Sequence, residues 1–287
     1  MTRALLAKAL RDGWLLLVGL AALLFGFTWL QIWLGSMISL PEFAKFLSSA
    51  LPKNFERLSP VPFSEMATPA GRIAIIYAHP LILFGTLVWA IARGSDCVSG
   101  EIGRGTMEML LAQPISRTSV YISQAVVAVF GAAVLAAAVW CGTAIGLATV
   151  ELPERVAASR FIAPDLNLFA RTVCLAGMAA LFSSWDSQRW RTVGLMTGWY
   201  VLATICEIVG RVADGWQWLR YASFLTAYAP EAMVARPDEA WSLLAYKDQS
   251  VIGLGLGGGS LLLLLLGLSC YLAGAVIFNR RELPAPI

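Results

Sequence analysis

The sequence contains few of the side chains that enzymes use for chemistry. Among 287 residues there is one histidine, and 14% of the residues are charged, against roughly a quarter in soluble domains. A single histidine excludes a multi-histidine metal centre, so no metal site is expected. The four lysines are Lys8, Lys45, Lys53 and Lys247, and none follows a glycine. A Walker A loop needs that Gly-Lys pair to hold phosphates, so this chain cannot bind ATP through a P-loop.

Other catalytic patterns are missing as well. HExxH, GxSxG, and GxGxxG with an acidic partner do not occur, so no catalytic residue is expected in this chain. The cysteines have no CxxC spacing, and four of the five fall in apolar stretches, which predicts small apolar packing residues rather than a disulfide framework. These residues are Cys97, Cys141, Cys174, Cys206 and Cys270.

Long apolar runs are the dominant feature that the sequence does have. Hydrophobic residues make up 58% of the chain, and a bilayer-spanning helix needs about 20 consecutive apolar residues. Six windows meet this requirement, approximately 14–34, 73–92, 120–150, 168–185, 192–209 and 251–278. Because lipid offers backbone groups no water, all six are predicted to be helices. The fold class is therefore all-α, a polytopic membrane protein with one transmembrane domain over residues 1–287.

The N-terminal residues 1–12 place apolar and charged side chains on opposite helical faces. Leu5, Leu6 and Ala9 share one face, a pattern that favours a separate interfacial helix. A simple basic flank that orients the chain is the alternative. The apolar run that follows is too long for a secretory signal, so we expect it to be a retained membrane anchor.

Charge distribution predicts the orientation. Total Lys and Arg counts are nearly equal on the two sides, but their density close to the spans is not. Arg280 and Arg281 follow the last span directly, and Arg189 and Arg191 lie in a tight turn. The positive-inside rule then places both termini in the cytoplasm of a multi-pass inner-membrane protein.

Two segments are predicted on the outer side. Residues 40–72 begin with apolar residues at helical spacing and continue into a proline-rich run, which indicates one short amphipathic helix with an irregular return. Residues 211–250 are rich in Trp and Tyr, as expected for the aromatic belt at a membrane interface. A substrate-lining role is the alternative for these aromatic residues.

Three sites inside or beside the spans contain ionisable residues and are candidates for a substrate path. His79 precedes Pro80, which predicts a kink in the helix. The imidazole either binds a ligand or relays a proton, or it forms a hydrogen bond with a nearby backbone carbonyl. Glu207 and Arg211 are four residues apart and form a possible ion pair. Arg171, near the outer start of the fourth span, either reaches lipid head groups or faces the bundle interior.

The most charged and most patterned part of the chain is residues 93–117, here called the charged segment. Glu101, Arg104 and Glu108 alternate with apolar residues over 101–113, which predicts a short amphipathic helix that Pro114 ends. Such a helix lies on lipid or fills a groove in a cytoplasmic partner.

Part of the charged segment resembles the corresponding segment of a known protein family. Glu101 and the run Gly105-Thr106-Met107-Glu108-Met109-Leu110-Leu111-Ala112-Gln113-Pro114-Ile115-Ser116-Arg117 are similar to the junction between spans two and three of type-2 ABC transporter permeases. The subgroup is the one that includes the permease of nitrous oxide reductase maturation. The layout of a basic N-terminus followed by six spans extends the resemblance over the whole chain.

The resemblance implies partners and a mechanism. Two permease copies, usually identical, would pair with two copies of a separate ATP-binding subunit, which would hold ATP and Mg²⁺, so no cofactor is expected in this chain. Residues 101–113 would form the coupling helix of an exporter. The implied contact residues are Glu101, Arg104, Thr106, Glu108, Leu111, Pro114 and Arg117. Membrane lipid and an accessory protein outside the cytoplasm are further implied partners, and no nucleic acid is expected.

One position departs from the family pattern, and two other classes compete with this interpretation. Gln124 stands where these permeases often have lysine, which puts a phosphate or head-group contact there in doubt. An ion-gradient transporter would need several ionisable residues near the bilayer midplane, and only His79 and Glu207 qualify, both off-centre. An intramembrane enzyme would need a nucleophile with a base, and the single histidine argues against one.

Overall fold

The computed structural model describes residues 2–50, 57–152, 154–247 and 250–282, and these are mostly helical. The helices of the first half are α1 (Thr2–Ser36), α2 (Leu40–Ala50), α3 (Phe63–Met66), α4 (Pro69–Tyr77), α5 (Pro80–Ser95), α6 (Glu101–Gly103) and α7 (Thr106–Leu111). Those of the second half are α8 (Arg117–Thr149), α9 (Ile162–Trp185), α10 (Arg189–Val212), α11 (Leu219–Ala222), α12 (Pro230–Ala235) and α13 (Leu256–Arg280).

Six segments of the described chain are long and apolar enough to cross a membrane. They are Arg3–Ser36, Pro69–Gly103, Arg117–Thr149, Ala158–Trp185, Arg189–Val212 and Leu256–Arg280. The second of these contains α4, α5, a π-helix at Asp96–Gly100 and α6. The predicted all-α polytopic membrane fold is therefore confirmed.

The separate interfacial helix expected at residues 1–12 is wrong for the residues described, which begin at Thr2. α1 runs without a break from Thr2 to Ser36. Leu5 and Ala9 are buried, and Leu5 belongs to the protein core. Because these apolar side chains pack on the bundle, the first turns of α1 continue the first span.

Several span boundaries also differ from the prediction. The predicted sixth span began at residue 251, but Ser250–Leu254 is a strand, β2, that pairs antiparallel with β1 at Leu244–Lys247. α13 starts only after Gly255. α9 starts at Ile162, well before the predicted residue 168. The third and fifth spans lie within a few residues of their predicted ends.

The core forms where α9 meets its neighbours. α9 is the most buried of the six spans, whereas α1 and α10 are the least buried. α13 and α5 pack against α9, and α1 lies along α8. Trp89 is fully buried there, and its indole N–H donates to the carbonyl of Ala128 at 2.9 Å.

Glycines allow the close approach of α1 and α8. A Cβ at Gly142 would lie 2.7 Å from the Phe25 carbonyl oxygen, and one at Gly146 would lie 2.7 Å from Ile32 Cδ1. At Gly194 and Gly198 on α10, such a Cβ would have no atom of the described residues within 4 Å. The first pair therefore serves packing inside the bundle, and the second pair lies on an open surface.

The end of the bundle opposite the charged segment holds the two predicted outer segments. The expected short helix is present as α2 at Leu40–Ala50. The described residues of 211–250 form the end of α10, α11, a 3₁₀ turn, α12, β1 and the first residue of β2. Trp216, Trp218 and Tyr221 are exposed, and their place in an aromatic belt stays a prediction.

Candidate functional site

The backbone of the charged segment departs from a regular α-helix at two places. After α5, the π-helix Asp96–Gly100 leads into α6. Gly105 then adopts a left-handed conformation with φ of 70°, which ends α6 and starts α7. Glycine reaches this conformation without the steric cost that a Cβ brings. The single helix predicted over 101–113 is therefore wrong, because two short helices meet at Gly105.

α7 is amphipathic, and its inner face is anchored. Met107 is fully buried, and Leu110 and Leu111 pack against the core. Exposed residues lie on the outer face of α7 and directly after its end: Glu108, Met109, Ala112, Gln113 and Pro114. We call these five residues the docking face. Met109 is 65% exposed, so a large apolar side chain points away from the protein at this end.

Glu101, which the sequence places among the partner contacts, is buried. Its carboxylate accepts a hydrogen bond from Lys8 Nζ at 2.6 Å and lies 3.2 Å from Arg104 Nη2. Thr106 Oγ1 also donates to it. A buried carboxylate needs such counter-charges and donors. The expected direct contact of Glu101 with a partner is therefore contradicted, and the residue instead ties α6 to the start of α1.

Three arginine side chains surround the Asp96 carboxylate. Its carboxylate oxygens lie 2.8 Å from Arg104 Nη1, 3.3 Å from Arg189 Nη1 and 3.5 Å from Arg93 Nη1. Burial lowers the pKa of the Arg104 guanidinium, but the hydrogen bond and charge of Asp96 outweigh it and raise that pKa above its ordinary value. Arg104 therefore stays charged. We call the group Lys8, Arg93, Asp96, Glu101, Arg104 and Arg189 the ionic cluster.

Gln124 bridges Arg93 and Glu101 of the ionic cluster. Its Oε1 accepts from Arg93 Nη2 at 2.6 Å, and its Nε2 donates to Glu101 Oε1 at 3.4 Å. Arg93 Nη2 also donates to the carbonyl of Ala9 at 3.2 Å. The residue that departs from the family pattern is thus buried inside the protein, where a neutral amide can serve both a cation and an anion.

Sequence reasoning missed Lys8 and Asp96 as members of this site. Lys8 lies 93 residues from Glu101 in the chain, and Arg189 lies equally far from Asp96, so no local pattern connects them. The sequence offered one indication of the cluster. Asp96 is an acidic residue close to Arg93 in the most charged part of the sequence.

Some of the remaining predicted contact residues bind other parts of this chain, and others are exposed. Arg117 Nη1 donates to the carbonyl of Phe278 at 3.3 Å and to that of Arg281, which ties α8 to the end of α13. Thr106 donates a hydrogen bond to the Glu101 carboxylate. Arg104 is partly exposed, and Glu108 and Pro114 are exposed, so these three are available to a partner.

His79 lies at the kink that Pro80 predicts, and the kink is confirmed. α4 ends at Tyr77, and His79 is the N-cap of α5, where its Nδ1 accepts from the Leu81 N–H at 3.2 Å. The imidazole therefore bonds a backbone N–H instead of the expected carbonyl. It borders a cavity of about 500 Å³ between α1, α2 and α4.

Arg171 faces the bundle interior. It is fully buried and donates to Thr86 Oγ1 at 3.1 Å and to the Tyr200 hydroxyl at 2.8 Å. The Tyr228 ring centroid lies 5.3 Å from its guanidinium. Because α9 starts at Ile162, Arg171 lies about 14 Å along the helix, deeper than the sequence suggests.

Glu207 and Arg211 form the predicted ion pair. Arg211 Nε lies 2.7 Å from Glu207 Oε1, and Thr226 donates to the other carboxylate oxygen. The pair is satisfied by its own neighbours. A role for His79, Arg171 or Glu207 in a substrate path stays a prediction.

The architecture by itself defines a broad class of protein. Six apolar spans in one helical bundle, with a short amphipathic helix presented at one end, make this a multi-pass membrane protein. The profile described as ABC-2 family transporter protein matches residues 6–283, and the chain belongs to this family. A search of curated proteins gives no match.

Family membership decides among the three classes that the sequence left open. The chain is the membrane subunit of an ABC transporter and is not itself catalytic. This class works with an ATP-binding partner subunit. Membership in a narrower subgroup of these permeases stays a prediction.

Proposed function

We propose that this chain is an export permease that receives the work of ATP hydrolysis at the docking face of α7. The observation that supports this most is the contrast between the two faces of one short helix. Glu108 and Met109 are exposed, while Met107 on the opposite face is 1% exposed and packs in the core. A helix whose inner face packs in the core and whose outer face is exposed can transmit a force from a bound partner to the spans.

The ionic cluster supports transmission from α7 to the spans. Thr106, at the start of α7, donates to Glu101, and Glu101 holds Lys8 of α1. Asp96 links the same segment to Arg189 at the start of α10. A push on α7 therefore reaches α1, α5 and α10 through direct contacts. Coupling also requires that the ATP-binding subunit contact the two permease states differently.

The positive charges at the end of the bundle that carries the charged segment support a cytoplasmic location for both termini. Arg281 donates to the carbonyl of Asp186 at 2.8 Å, beside the turn that precedes Arg189. Thr118 at the start of α8 bonds Asn279 at the end of α13. Because Lys8 also contacts Glu101, the start of α1, the charged segment and the end of α13 lie at one end, as the positive-inside rule expects for the cytoplasmic side of an inner membrane.

The open face of α10 supports pairing with a second copy of this chain. Gly194 and Gly198 lie on the surface, with Leu195, Trp199 and Leu202 exposed around them. Small residues four apart allow two helices to approach closely in lipid. The proposed assembly is two permeases and two ATP-binding subunits; an accessory protein outside the cytoplasm stays a prediction.

Replacing Glu108 by Arg tests the docking face. We expect Glu108→Arg to reduce copurification of the ATP-binding subunit and the stimulation of its ATPase by at least about tenfold, because a charge reversal at an interface costs several kcal/mol. Glu151→Arg, an exposed residue beyond the far end of α8, is the control. Equal stimulation by wild type and Glu108→Arg would show that this face does not couple.

A further inference from the structure

A cavity of about 460 Å³ opens inside the ionic cluster. Its charged lining residues are Lys8, Asp12, Arg93, Asp96, Arg104 and Arg189. Its volume is typical of sites for small molecules. The cavity lies between the start of α1 and the charged segment, at the end of the bundle where lipid head groups would begin.

Positive charge exceeds negative charge in this cavity. Four cationic side chains line it against the two carboxylates of Asp12 and Asp96, and Glu101 beside them leaves a net positive charge. The excess is largest at Asp96, where one carboxylate faces three guanidinium groups within 3.5 Å. An anion would be attracted to this position.

Arg93 supplies an unused donor in the cavity wall. Its side chain is only 2% exposed, and within the described residues its Nε has no hydrogen-bond partner. Among the residues that the structure covers, its Nη1 has only the long 3.5 Å contact with Asp96. A buried N–H without a partner costs free energy. A small shift of Arg93 would let an oxygen of a bound anion relieve this cost, while the exposed Arg189 guanidinium lines the same cavity and can turn toward the anion.

We propose that this cavity binds a phosphate group, carried either by an anionic lipid of the adjoining leaflet or by a soluble phosphate compound. Planar guanidinium groups match phosphate oxygens in geometry and charge, and basic clusters at a membrane surface attract anionic lipids. Leu16 and Ala92 form an apolar part of the wall, and Leu15 on the same helix is 70% exposed. A lipid chain has an apolar path out of the cavity on that side.

Binding assays on the purified full-length chain distinguish the two sources. Native mass spectrometry measures adducts with phosphatidylglycerol and with phosphatidylcholine, and thermal unfolding compares inorganic phosphate with chloride at equal ionic strength. Selective phosphatidylglycerol adducts identify a lipid site, and stabilisation by phosphate alone identifies a soluble ligand. Absence of both effects overturns the proposal.

Matched variants locate the binding site. Arg189→Gln should weaken the selective binding by about tenfold, the effect of losing one charge-assisted contact. Arg191→Gln should not, because Arg191 is exposed, stacks over Trp190 at 5.6 Å and lies outside the cavity lining. Lys8→Gln and Arg11→Gln repeat the comparison on α1 if Arg189→Gln fails to fold. Equal losses within both pairs would assign the binding to general surface charge and overturn the proposal.

Discussion

A carboxylate buried at the end of a membrane bundle is stable only while its counter-charges stay in place. Glu101 meets this condition through Lys8 on α1 and Arg104 on its own segment. The residue is therefore a structural link between the first span and the charged segment. The residues that face outward, Glu108 and Met109, are free to contact a partner.

Replacing Glu101 by Gln removes this charge and keeps the shape of the side chain. We expect Glu101→Gln to lower the unfolding free energy by about 2 kcal/mol, less than the roughly 3–5 kcal/mol of a fully buried pair because Lys8 and Arg104 are partly exposed. Glu108→Gln, on the exposed face, should change it by less than about 0.5 kcal/mol. Thermal unfolding in detergent measures both. Equal midpoints would mean that Glu101 does not hold the segment.

At the scale of elements, the glycines of α8 lie in a helix contact inside the bundle, whereas those of α10 lie on an open surface where we propose that a second copy packs. A side chain at Gly142 would collide with the backbone of α1 at Phe25, whereas a Cβ at Gly198 would have no described atom within 4 Å. We expect Gly142→Ile to destabilise the monomer by roughly 1–3 kcal/mol. Gly198→Ile should leave the monomer stable and reduce the dimer fraction measured by light scattering. A dimer fraction unaffected by Gly198→Ile would exclude this face of α10.

The six spans could be predicted from the sequence because hydrophobic length alone decides what can cross a membrane. Their ends could not, because contacts between distant residues set them. Residues 1–12 join α1 because Leu5 finds a core to pack against. The charged segment breaks in two because Gly105 can adopt a positive φ, and sequence periodicity does not show that choice.

The candidate site was predictable in the same partial way. The exposure of Glu108 and Pro114 follows from local pattern, since Glu108 lies on the polar side of a short amphipathic helix and Pro114 follows its end. The burial of Glu101 does not, because it depends on Lys8 arriving from another span. Arg171 likewise lies in the interior only because Thr86 and Tyr200, on two other helices, supply partners.

At the scale of the whole molecule, one end of the bundle gathers the charges that the spans exclude. The ionic cluster joins α1, the π-helix, α6 and the start of α10 at that end. α7 stands outside this cluster and is attached to it through Thr106. A membrane subunit built in this way has a rigid base and one presented helix, which suits a partner that delivers mechanical work.

The most direct test of this account is photo-crosslinking from position 109 to the ATP-binding subunit in the assembled transporter. A benzophenone amino acid in place of Met109 should give a crosslink to that subunit. The same group in place of Glu151, at the far end of α8, should give none. A crosslink from position 151 but not from position 109 would contradict the claim that the docking face of α7 receives the ATPase.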